Sequence, residues 1–71
     1  MFKVVEIKNY DIHHRYGTDW HTDYEIETDE KFNTIDEVLE KMKELGHNVY
    51  GEIKMKTWHN ENKIVIESIM Y

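Results

Sequence analysis

The stretch NTIDEVLEKMKELG, residues 33–46, constrains the fold of this chain more than any other. Its apolar residues Ile35, Val38, Leu39, Met42 and Leu45 recur at i, i+3, i+4, i+7 and i+10, which draws one stripe down a helix. Thr34 followed by Glu37 has capping-box spacing: the hydroxyl takes the backbone N–H three residues on, and the carboxylate reaches back. Phe32, just ahead of the cap, stands near where a staple residue would fold onto Val38. Gly46 supplies the left-handed position that ends the helix. Asp36 and Glu37 fall in the first turn and Lys41 and Lys43 in the last two, as the helix dipole favours. The pattern predicts a helix over Ile35–Leu45 with Leu39 central in its buried face. Such a helix is too short to stand alone, so something flat must cover its stripe.

Alternation on both sides of the helix supplies that surface. Phe2–Tyr10 is β-rich, with Phe2 and Val4 on one face and Val5 and Ile7 on the other. Residues 11–18 read as a connection turning at Gly17. Trp20–Thr28 alternates strictly: Trp20, Thr22, Tyr24, Ile26 and Thr28 face one way, His21, Asp23, Glu25 and Glu27 the other. After Gly46, Val49, Gly51, Ile53 and Met55 alternate with Tyr50, Glu52, Lys54, Lys56 and Trp58. HNEN, residues 59–62, is a hairpin loop, and Lys63–Tyr71 closes the chain as a strand with Ile64, Ile66 and Met70 opposite Val65, Glu67, Ile69 and Tyr71. The expected architecture is α+β, a two-layer β-β-α-β-β domain spanning residues 1–71: a four-stranded antiparallel sheet with one helix on one face. The other face keeps Tyr50, Trp58, Val65, Ile69 and Tyr71 partly uncovered, which favours a homodimer or a bound partner, with Trp58 and Tyr71 at the contact.

Seventy-one residues make a single domain whose core is marginal without further support. Cysteine is absent, which excludes disulfides and thiolate metal sites; proline is absent too, and no segment reads as a linker. No apolar run has the length of a membrane span and the first residues carry no signal-peptide core, so a cytoplasmic protein is expected, in a host cell's cytoplasm if phage-encoded.

The net charge of −6 is unevenly placed. Asp19, Asp23, Glu25, Glu27, Asp29 and Glu30 occur in one segment without Lys or Arg, while acids and bases balance elsewhere. Its field repels nucleic acid and anionic membrane and attracts a basic protein surface. Residues two apart on a strand project to the same side at roughly 6.6–6.8 Å. Asp23, Glu25 and Glu27, continued by Asp19 and Asp29, thus form a row of carboxylates that can stand in for successive phosphates. The competing reading is a solvated strand face whose acids protect an edge against aggregation.

Other chemistry is less supported. Asp11, His13, His14, Asp19, His21 and Asp23 cluster near one turn, and His13, His21 and Asp23 are candidate metal ligands, but they match no established ligand spacing, so neither metal nor cofactor is assigned. The pair His13-His14 followed by Asn33 resembles the histidine–asparagine–histidine nucleases only faintly, because the helix lacks the histidine that their metal core requires. His21 with Asp23 is an acid–base pair without a pocket, and no enzyme is expected. Tyr10, Tyr16, Trp20 and Tyr24 cluster on the first hairpin, but stacking bases also requires a basic groove, and only Arg15, Lys54 and Lys56 lie near.

In size, acidity, absent cysteine and proline, and two hairpins around one well-capped helix, the chain resembles the small accessory proteins of bacteriophages and mobile elements. That resemblance implies an anti-defence inhibitor of the anti-CRISPR or anti-restriction type. The expected function is non-enzymatic: binding a basic host protein that handles nucleic acid, through Asp19, Trp20, Asp23, Tyr24, Glu25, Glu27, Asp29 and Glu30, with no direct contact to nucleic acid or membrane. The alternatives are an oligomer that sequesters a nucleotide signal through Arg15, His13, Trp20 and Lys56, and a homodimeric structural module.

Overall fold

A computed structural model describes residues 1–14 and 17–70, with backbone alone at residues 13, 14, 18 and 58–60. It contains strands β1 (Lys3–His14) and β2 (Gly17–Glu27), helix α1 (Ile35–Glu44), and strands β3 (Glu52–Asn60) and β4 (Lys63–Met70). The strands form one antiparallel sheet in the order β1-β2-β4-β3, an α+β fold with a single helix. Strand β2, which carries the acidic row, is therefore a central strand, and β1 and β3 are the edges.

The helix forms as its sequence signals require. Thr34 is the N-cap, its hydroxyl accepting the Glu37 N–H at 3.3 Å. The Glu37 carboxylate reaches back to accept the Asn33 N–H at 2.8 Å, one residue before the expected donor. At the other end Gly46, with φ +89, lets its own N–H reach the Lys43 carbonyl and the His47 N–H reach that of Met42, the paired bonds of a Schellman motif. Leu45 is the C-cap and half exposed, so the helix ends one residue short of the expected Leu45.

Val38 and Met42, both fully buried, meet Ile26, Ile64 and Ile66 in the core, with Phe2, Val4, Tyr24, Phe32, Leu39, Val49, Ile53 and Met55 packed around it. Leu39 is only half-buried; the centre of the stripe lies one residue earlier and three later. Phe32 turns to Phe2, edge to face at 5.9 Å between ring centres, closing the end of the core beneath the helix entry.

Strands β1 and β2 are longer than the alternation suggested, and β3 is displaced along the chain. Residues 11–14 continue β1, and its pairing with β2 runs on to His14 opposite Gly17. In the second hairpin His59 and Asn60 belong to β3, and the turn narrows to Glu61 and Asn62, both with positive φ, as a two-residue hairpin requires. Conversely, Val49 and Tyr50 precede β3. A helix of 10 residues spans ~15 Å, less than half the ~37 Å of the 11-residue β2. Its cover ends before Trp20 and Met70, which pair across β2 and β4 and remain 56% and 47% exposed.

Register shifts on the two edge strands set the faces. Glu6 pairs with Tyr24 and Lys8 with Asp23, leaving Ile7 as the extra residue of β1. Beyond it the alternation reverses: Lys8 and Tyr10, which simple parity would place with Phe2 and Val4, stand on the helix-distal face. On β3 the register shifts again at Lys56, between Met55 opposite Ile66 and Thr57 opposite Val65.

Candidate functional site

The helix-distal face is where the chain concentrates its polar chemistry. Cross-strand pairing places Tyr10 beside His21, Lys8 beside Asp23, Asp23 beside Glu67, and Lys54 beside Glu67. His21 and Asp23 are each only 6% exposed, unusual for polar residues on a sheet face that no helix covers. Ile69, itself buried, lies directly opposite His21.

The histidine is held at both nitrogens. Its Nε2 is 3.1 Å from a Glu67 carboxylate oxygen and its Nδ1 is 2.7 Å from the Tyr10 hydroxyl. In the neutral ring that assigns the proton to Nε2, which donates to Glu67, while Nδ1 accepts from Tyr10. The Tyr10 and His21 rings lie 4.9 Å apart at 41°, and the Lys8 ammonium sits 4.5 Å above the tyrosine ring.

Lys56 closes the network. From the β3 bulge its ammonium reaches the Asp23 Oδ2 at 3.0 Å and the Glu67 Oε2 at 3.1 Å. Hydrogen bonding to Asp23, then to Glu67, raises its pKa above the usual lysine value. The other Asp23 oxygen, Oδ1, is buried without a hydrogen-bond partner among the described residues.

The acidic row fares differently along its length. Asp19 and Asp23 are buried, so neither is presented to a partner in this conformation. Glu25 is half-buried with Lys63 at 3.4 Å, and Glu27 is half-buried between its register neighbours Lys3 and Lys63. Asp29 and Glu30 are exposed, near the N-terminal amine at 3.1 Å and Lys41 at 3.8 Å. The counter-charge missing from the segment itself is thus supplied from other parts of the chain. Trp20 is exposed, whereas Tyr24 is half-buried against the core. Burial, then the charge of Glu6, pushes the Tyr24 hydroxyl above its ordinary pKa.

Of the three expected metal candidates, His21 and Asp23 meet and the His13 side chain lies outside the described residues. The sequence did not join Glu67, Lys56 or Tyr10 to His21 and Asp23, although Lys56 was expected in a nucleotide site and Tyr10 in an aromatic cluster. The first two were visible in principle, since they share the helix-distal parity with Asp23; Tyr10 was hidden by the Ile7 bulge. Arg15 and Tyr71, and the Trp58 side chain, also lie outside the described residues, and with them the expected dimer contact. An open hollow of about 470 Å³ lies at the helix C-terminal end, lined by Leu39, Lys43, His47, Val49 and Tyr50 among others, away from His21. No helix among the described residues is long and apolar enough to cross a membrane.

Neither a protein-family model, nor a curated protein, nor a solved structure matches the chain.

Proposed function

We propose that this protein is a non-enzymatic binding module that engages a basic, nucleic-acid-handling protein, as an anti-defence inhibitor would, through the end of β2 and the segment that follows it. The observation that carries this reading is the acidic run Glu25, Glu27, Asp29 and Glu30, whose counter-charges are loosely held. Lys63 stands 3.4 Å from Glu25 and Lys41 3.8 Å from Glu30, on side chains at least a third exposed. Surface pairs of this kind contribute little and exchange readily. A partner's guanidinium groups, which grip carboxylate and phosphate alike in a two-pronged fork, replace such lysines at small cost. Asp23 takes no part in the contact; its charge is used inside the sheet. Trp20, although exposed, stands near the other end of β2 and on the opposite face from Glu25 and Glu27, so it lies outside this contact.

The test is capture of bacterial lysate proteins on the immobilised chain, followed by elution with duplex DNA. Partners held by phosphate-binding sites leave with the DNA, and a chain carrying Glu27→Gln, Asp29→Lys and Glu30→Lys captures none of them. Retention of the same proteins by the variant, or partners that DNA fails to displace, refutes the reading.

A further inference from the structure

We propose that His21, Asp23 and Glu67 form a binding site for a divalent transition-metal ion of the zinc class, and that Lys56 is its built-in competitor. One ligand atom from each of the three side chains lies within 4.8 Å of the other two, so a small inward shift of the side chains brings all three to bonding distance of a single ion. The donor set, one imidazole and two carboxylates, suits zinc and its neighbours rather than calcium or magnesium. Two observations beyond the cluster point to a cation. The Asp23 Oδ1 is buried and unpartnered among the described residues, a cost normally met by a ligand. The space between Asp23 and Glu67 is also already chosen by a positive charge, the Lys56 ammonium at 3.0 and 3.1 Å.

The surroundings suit the exchange. Lys56 is 41% exposed along its side chain and extends from an edge-strand bulge, so it can leave for solvent without moving the backbone. His21 changes tautomer rather than position: Nε2 gives its lone pair to the metal, and the proton moves to Nδ1, which then donates to the Tyr10 oxygen 2.7 Å away. A ligating histidine oriented through its second nitrogen is the usual arrangement at protein metal sites. Replacing one positive charge by two also suits a site whose two carboxylates outnumber its single ammonium.

Calorimetric titration of the whole chain with Zn²⁺ tests the proposal, with Lys56→Met as the principal variant. Removing the ammonium is expected to tighten Zn²⁺ binding about tenfold or more, and adding Glu67→Gln to Lys56→Met to lose that gain. The His21 ring signals in the NMR spectrum of Lys56→Met are expected to move on saturation with Zn²⁺, a readout that depends on no further substitution. Equal affinities for parent and Lys56→Met overturn the proposal. So do unmoved His21 signals while other histidines respond, which would place the ion away from His21, Asp23 and Glu67.

Discussion

The ammonium of Lys56, on the edge strand β3, lies 3.0 Å from the carboxylate of Asp23, two strands away on β2. It crosses the intervening β4 beside Glu67, whose carboxylate it also meets. A buried acid on the central strand is thus neutralised by a side chain rooted at the edge, which ties the helix-distal face together across three strands.

Lys56→Met removes the cation and leaves Asp23 buried and uncompensated. Losing one partner of a fully buried pair costs ~3–5 kcal/mol, but the exposed stem of Lys56 screens this pair, and ~1–2 kcal/mol is expected. Urea denaturation measures it. Adding Asp23→Asn removes the stranded charge and recovers part of the loss. If the double variant is no more stable than Lys56→Met, the pair is not what holds this face.

Met42 and Leu39 separate the centre of the helical stripe from its margin. Met42→Ala empties a fully buried position and is expected to cost ~2–5 kcal/mol, whereas half-buried Leu39→Ala should cost less than half as much. Equal thermal shifts for the two would put Leu39 back at the centre.

The helix was legible because its signals are local. Stripe, cap and terminating glycine all lie between Thr34 and Gly46, and each acts within one or two turns. The β-β-α-β-β order and the faces of β2 and β4 were equally open to reading, since alternation survives wherever a strand is unbroken. The candidate site was not. It depends on two bulges, at Ile7 and Lys56, and on strand neighbours such as Asp23 and Glu67 that lie 44 residues apart in the chain. No local pattern announces which strand of a sheet will lie beside which. The same blindness made the acidic segment look uncompensated, because Lys56, Lys63 and Lys41 come to it from later in the sequence.

Gly51 is required by its surroundings as well as by its backbone. Its φ is +92, and a Cβ there would run into the Ile69 carbonyl on β4. Gly51→Ala therefore combines left-handed strain with a backbone collision and is expected to cost more than ~1–2 kcal/mol. Gly17, with nothing within 4 Å and no positive φ, is the control: Gly17→Ala should leave the denaturation midpoint close to the parent value.

Tyr24 is expected to make the fold less stable at alkaline pH. Burial first, and the neighbouring Glu6 second, hold its hydroxyl protonated beyond its ordinary pKa of 10.0. In the unfolded chain the same group ionises at about pH 10. The folded state thus keeps a proton that the unfolded state has given up. Its contribution to stability is complete below the unfolded pKa and is lost as pH rises through the folded one. Urea midpoints measured between about pH 9 and pH 12 should fall more steeply for the parent than for Tyr24→Phe, in which the titrating group is gone. Glu6→Gln should shrink the difference without removing it, because desolvation is the larger cause. Parallel pH profiles for parent and Tyr24→Phe would mean that the Tyr24 hydroxyl reaches water in the folded chain, and that the core margin beside Glu6 is looser than its packing indicates.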